Sequence, residues 1–320
     1  MRQKFYWQDK PEGCNEAVWR YEANPILKMN HSPKIARLFN SATLVTDDKI
    51  VGIFRGDMPD CTPALFYGES KDGINWDIDD SGIKIFEKDG TPFIYEYAYD
   101  PRLTKIDDDY YIIFCADVVG PSLYIVRTKD FKYYEKLANG FLPYNRNGVL
   151  FPRKFDDKYL FLSRPSDTGH TPCGDIYISE SRDLEYWGNH KLLMTAPYKK
   201  SYWQRLKIGA GPIPIETDDC WILIYHGVNS TCNGLVYSMG VALLDKDDPS
   251  KVLARGRRYL MTPETDYECM GFVPNVVFPC SALCDDEGHI TIYYGSADTT
   301  LSIAFTTVNE LKKFARENND

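Results

Sequence analysis

The chain has 320 residues, 43% hydrophobic and 26% charged, proportions of a globular protein that exclude disordered and collagen-like chains. Its 37 Lys and Arg against 46 Asp and Glu give a net charge of -9, without the basic excess that nucleic acid or an anionic membrane requires. No apolar run approaches the ~18 residues of a membrane span, and the start MRQKFYWQDKPEG lacks the apolar centre of a signal peptide, so a cytosolic location is expected.

Residues 1–24 precede the first recognisable element and are expected to form an arm that packs on another subunit. One phrase then recurs along the chain: an apolar stretch, an acidic turn, and a short alternating strand rich in Tyr, Phe and Ile. The copies are SATLVTDDKIVGIFRGD (41–57), DPRLTKIDDDYYIIFCAD (100–117), GVLFPRKFDDKYLFLSRP (148–165), GPIPIETDDCWILIYHG (211–227) and VVFPCSALCDDEGHITIYYGSAD (276–298). Asp-Asp between two runs of period-2 hydrophobicity is turn chemistry, so each copy reads as a β-hairpin. After three copies come GESKDGINW (68–76), VRTKDFKYY (126–134) and SESRDLEYW (179–187), which read as outer strands. Four strands in each of five units predict an all-β fold, a five-bladed β-propeller spanning 1–320 as one domain. A C-terminal helix is expected at 308–318, with Leu311 and Phe314 on one face. The nine cysteines are never spaced Cys-x-x-Cys and read as reduced thiols.

In a propeller, residues flanking the innermost hairpins converge at one mouth of the central channel. Those flanks carry Asn40, Ser41, Arg55 and Asp57, then Asp100, Arg102 and Asp117, then Arg146, Asn147 and Arg164, then Lys207 and His226, and finally Asn275 and Asp298. Charged groups pointed into a channel need partners or a ligand. Arg55, Arg146, Arg164 and Lys207 suit the oxygens of a phosphate, while Tyr97, Tyr99 and Tyr237 offer surfaces for a sugar ring. A sugar site beside an inorganic anion site is the functional reading; ion pairs that merely close the channel are its alternative. A turn-capping role for Asp100, a core role for His226 and a solvated position for Glu96 likewise stand open. No His-Glu-x-x-His, Gly-x-Ser-x-Gly or phosphate-loop signature occurs, so neither a metal nor a serine nucleophile is expected.

The phrases FNSATLV, RGD, YDPR, NRNGVLFPRK, SRPSDTGHTPCGDI, KIGAGPIP, IYHGV, ECMGFVPNVVFPC and YYGSAD together resemble glycoside hydrolase family 130, the β-mannoside phosphorylases, from about residue 14 to 300. The closest likeness is to the branch acting on β-1,4-linked manno-oligosaccharides, which also includes enzymes of mannosyl-N-acetylglucosamine. This resemblance implies transfer of a terminal β-mannosyl unit to inorganic phosphate with inversion, giving α-mannose 1-phosphate. It implies phosphate as co-substrate, no other cofactor, and a homo-oligomer. It places the acid on Asp100, acting through the sugar's 3-hydroxyl. Phosphate binding falls on Arg146, Arg164, Lys207 and Tyr237, and mannoside binding on Asn40, Ser41, Arg55, Asp57, Asn147, His226 and Asp298. A β-1,2-mannoside phosphorylase, a propeller hydrolase and a non-catalytic sugar-binding propeller are the competing readings. A hydrolase needs a second carboxylate as base, whereas held phosphate is already a nucleophile.

Overall fold

Each acidic turn closes a hairpin between the first two strands of a blade. In the computed structural model, which describes residues 5–166 and 174–319, blade I comprises Arg37–Val45, Ile50–Asp57, Pro63–Ser70 and Trp76–Ile78. Blade II comprises Tyr97–Ile106, Asp109–Asp117, Pro121–Thr128 and Tyr134–Lys136, with Ile85–Phe86 added in parallel at its outer edge. Blade III comprises Asn145–Leu150, Tyr159–Pro165, Ile176–Ser181 and Gly188–Met194. In blade IV, Lys207–Ala210 and Ile215–Glu216 both pair with Cys220–Thr231, followed by Gly234–Asp245 and Val252–Arg255. Blade V comprises Val277–Cys284, His289–Ser296 and Thr300–Thr307. All five sequence copies are inner hairpins, and the three outer-strand signals run from the third strand through the turn that leads to the fourth. The turns work as their residues dictate: Asp285 Oδ1 accepts from the amides of Glu287 (3.0 Å) and His289 (2.8 Å), holding the chain while it reverses.

The apolar half of each alternating strand is buried between neighbouring blades rather than in one central core. Ala42, Ile53 and Leu65 of blade I pack on Leu103, Ile112 and Phe114 of blade II. Comparable seams join II to III, III to IV and IV to V. The fifth seam, from V back to I, also takes Phe5, Trp19 and Leu27.

This last seam corrects the expectation for the N-terminal arm. Blade V has only three strands of its own, and Trp19–Arg20 supplies the fourth by antiparallel pairing with Phe305 and Ala304. The arm therefore packs on its own ring, because the apolar side chains of Phe5 and Trp19 find burial there. The helix Val308–Glu317 is capped by the Thr307 hydroxyl, which accepts from Glu310 N at 3.1 Å, and buries Leu311 and Ala315 against blades IV and V. No helix among the described residues is long and apolar enough to cross a membrane.

Arg102, grouped by sequence with the channel residues, is fully buried and donates to the carbonyls of Asp100 and Pro101 (both 3.0 Å) and of Ala210 and Gly211. It ties blade II to blade IV across the channel and is a structural group. The described cysteines are all free; Cys173 lies outside the described residues.

Candidate active site

The inner strands of blades I, II and III each lose register once near the mouth: between Phe39 and Ser41, between Tyr99 and Arg102, and between Arg146 and Val149. Asn40 (φ 46°), Asp100 (φ 53°) and Asn147 (φ 52°) occupy the breaks in left-handed backbone, which Asn and Asp tolerate better than other side chains. A bulge re-aims the side chain it carries. Asp298 (φ 47°) enters from the tight turn between the last two hairpin strands of blade V. All four line one cavity of about 490 Å³.

One half of the cavity is organised around a carboxylate. Asp100 Oδ1 accepts from Asn40 Nδ2 at 2.8 Å and from Arg55 Nη1 at 3.1 Å. Burial alone would lower the affinity of Arg55 for its proton, but Asp100 and Asp298 outweigh it and hold the guanidinium above its ordinary value. Its charge rests 4.5 Å from the Phe39 ring centroid and 5.5 Å from that of Tyr99. Asp298 is pushed up to about 6 by burial, with Arg55 opposing and Asp100 and Asp57 reinforcing the shift. Gly295 is required here, since a Cβ would collide with Asn40 Oδ1.

The other half is cationic. Arg146 and Arg164 are Cα partners on adjacent strands of blade III, and Lys207 begins blade IV. None of the three forms an ion pair with a carboxylate among the described residues. Arg164 is pushed down to about 10 by burial, Tyr237 opposing and Arg146 adding to the effect. Lys207 is pushed down to about 8 by burial and then by Arg164 and Arg146, and its ammonium lies 5.4 Å from the Tyr237 ring. Tyr99 joins the two halves: its hydroxyl accepts from Arg146 Nε at 3.2 Å while its ring faces Arg55.

Of the twelve residues assigned from sequence, ten line this cavity; Ser41 and Asp57 do not. The bulge at Asn40 takes up the inward position, leaving Ser41 fully buried in the blade. Asp57 is buried behind the wall, paired with Arg37 at 2.8 Å. His226 reaches the cavity from a fully buried position, with Nε2 3.1 Å from Arg164 Nη1. A guanidinium only donates, so Nε2 accepts and the proton sits on Nδ1. Burial, then Arg164, Arg102 and Lys207, hold His226 well below its ordinary value, so it stays neutral. Gly209 permits this packing, because a Cβ would lie 2.5 Å from the imidazole and 2.6 Å from Asn147 Oδ1. Glu96 is exposed and outside the cavity. Sequence reasoning missed Tyr144, Ser166, Val273, Val276 and Phe278, which also line it. Ser166 had a usable signal, lying two residues beyond Arg164, whose Nε donates to its hydroxyl at 2.8 Å. The 163–176 phrase continues through 167–173, which lie outside the described residues.

The family model described as β-1,4-mannooligosaccharide phosphorylase, glycoside hydrolase family 130, matches residues 2–317. The chain belongs to glycoside hydrolase family 130. Among family 130 relatives, it is 47% identical to a β-1,4-mannooligosaccharide phosphorylase of Ruminococcus albus, over 97% of this chain and 94% of the relative. It is 32% identical to a 4-O-β-D-mannosyl-D-glucose phosphorylase of Bacteroides fragilis, over 92% of this chain and 79% of the relative. The structure of a β-1,2-mannobiose phosphorylase from Listeria innocua, in complex with β-1,2-mannobiose, superposes with a TM-score of 0.81 at 26% identity, covering 94% of this chain and 99% of that one. The five-bladed ring expected from the repeat is thus the fold of the family 130 propeller found here.

Proposed function

We propose that this protein is an inverting phosphorylase that transfers the terminal β-1,4-linked mannosyl unit of manno-oligosaccharides to inorganic phosphate, releasing α-mannose 1-phosphate. The observation that carries this reading is the cluster of Arg146, Arg164 and Lys207 without a described carboxylate partner, set beside the Asp100-centred half of one cavity. Like charges directly opposite on a sheet are destabilising, and such a cluster is relieved by a bound anion. A hydrolase would place a carboxylate base and water in that position.

In this mechanism Asn40, Arg55, Asn147 and Asp298 surround the mannosyl unit, and the three cations with Tyr237 hold phosphate below its anomeric carbon. A phosphate oxygen forms the new bond to that carbon as the glycosidic carbon–oxygen bond breaks. The departing oxygen takes a proton from Asp100, relayed through the sugar's 3-hydroxyl as the family resemblance implies. The proton carried by hydrogen phosphate restores the acid, so that mannoside and hydrogen phosphate give mannose 1-phosphate and a free hydroxyl. His226 keeps Arg164 aimed without adding charge. Most of the catalysis is positioning and electrostatic stabilisation. Phosphate is a co-substrate, and no metal or organic cofactor takes part.

The β-1,4 linkage is supported by the higher identity to the Ruminococcus albus relative than to the β-1,2-acting relatives, which are 32–36% identical. Cytosolic action belongs to the reading because α-mannose 1-phosphate is retained where metabolism uses it. A homo-oligomer is also part of it, supported by the exposed Leu192, Val252 and Leu253 on outer strands of blades III and IV, and light scattering tests it. The activity itself is tested by incubating β-1,4-mannobiose with and without phosphate. Mannose 1-phosphate formed only with phosphate is expected; mannose released equally without it would make the protein a hydrolase.

A further inference from the structure

The second strands of blades I and II end on equivalent carboxylates with unequal surroundings. In blade I the Cα partner of Asp57 is Arg37, which neutralises it at 2.8 Å. In blade II the Cα partner of Asp117 is Tyr97. Asp117 Oδ1 is buried with no hydrogen-bond partner, and no described cation pairs with this carboxylate, yet Asp117 lines the cavity. At ~3.3 Å per residue, the Tyr97–Asp117 pair lies about 7 Å along the strands from the Tyr99–Cys115 pair, outward from Asp100 toward the mouth. Tyr97 is 37% exposed there, and Tyr144, 62% exposed, faces the same cavity from the start of blade III. The Tyr144 backbone is fixed on both sides, its N–H donating to Pro121 O at 2.7 Å and its carbonyl accepting from Ser166 N at 2.8 Å.

An ionised carboxylate only accepts hydrogen bonds, and what it lacks here is donors. Sugar hydroxyls are donors, and flanking aromatic rings cover the apolar face of a pyranose. We infer that Asp117, between Tyr97 and Tyr144, binds the leaving-group sugar through its hydroxyls and determines preference for that sugar. This rests on the mannoside reading of the cavity.

Calorimetry with two probes tests it: mannose 1-phosphate, which fills only the mannosyl and phosphate sites, and β-1,4-mannobiose without phosphate, with chromatography confirming that the disaccharide stays intact. Asp117→Asn is expected to weaken mannobiose binding by about tenfold or more, the loss of a hydrogen bond to a charged group, and to leave mannose 1-phosphate binding within about twofold. Tyr144→Ala is expected to shift the same ratio in the same direction. Mannobiose binding within about twofold of the parent, or equal weakening of both probes, would overturn the assignment. So would weakened phosphate binding alone, which would make Asp117 a balancing charge for the cations. An unchanged melting temperature shows that each variant is folded. Failure of the phosphorylase reading shows separately, as a parent protein without phosphate-dependent cleavage, and leaves the binding comparison decisive.

Discussion

Arg146 and Arg164 stand directly opposite each other on the first two strands of blade III. Cross-strand pairs of like charge normally cost stability, and this one is partly buried, with Lys207 added from the next blade. A ring held together by apolar seams tolerates that cost locally. The electrostatic strain is concentrated where an anion relieves it, which makes phosphate a stabilising ligand as well as a reactant.

Phosphate is accordingly expected to raise the melting temperature of the parent, since it binds the folded chain alone. In Arg146→Ala, Arg164→Ala or Lys207→Ala that shift shrinks. The phosphate KM rises by about 10- to 100-fold, from a lost charged hydrogen bond of ~1.5–3 kcal/mol, with a much smaller change for the mannoside. Steady-state kinetics varying each substrate in turn checks this; equal effects on both would refute a separate anion site.

Asp100→Asn is expected to cut turnover by ~10²–10⁴ while leaving mannoside affinity nearly intact, because the amide still accepts from Asn40 and Arg55 but has no proton to give. Stopped assays of kcat alongside calorimetric binding make the comparison. Turnover within a few-fold of the parent would show that another group is the acid.

The pH dependence follows from Lys207. Its value near 8 means that it loses charge as pH rises through 8, so the phosphate KM is expected to climb between pH 7 and 9. Lys207→Arg, which remains charged, flattens that climb. Stability of the phosphate-free protein moves the other way. Between about 8 and the ordinary 10.5 the unfolded chain holds a proton that the folded chain has released, so the Lys207 contribution to stability rises with pH across that window. Denaturant midpoints at pH 7.5 and 9.5 for parent and Lys207→Met isolate the contribution.

Proton NMR of the first-formed mannose 1-phosphate is expected to show the α-anomer, as a single displacement on a β-mannoside requires. A β-anomer would mean a covalent intermediate and a nucleophilic carboxylate ~5–5.5 Å from the acid, for which Asp298 would be the candidate.

The five hairpins were legible because Asp-Asp turns and period-2 alternation are local properties, and local properties survive in sequence. The cavity was largely legible for the same reason: polar residues at hairpin ends break the apolar alternation. Ser41 and Arg102 do not line the cavity because a bulge beside each changes which face the residue serves, and single-residue register shifts leave no periodic trace; Asp57 stays in register and is drawn behind the wall by its pairing with Arg37. His226 stood between a core role and a site role because the IYHG phrase fits a buried or an open strand end. Trp19–Arg20 is too short to carry any period, so its place in blade V depended on a partner almost the whole chain away.

That pairing joins an early-made strand to one of the last made. During synthesis at ~5–20 residues per second, roughly 15–60 s separate the emergence of Trp19 from that of Phe305. Phe5, Trp19 and Leu27 wait exposed through that interval, and the fifth seam forms only after the other four can exist. The N-terminal segment thus lacks its native strand partner until blade V is made, and ring closure is the step at which premature association with a neighbouring chain competes with folding.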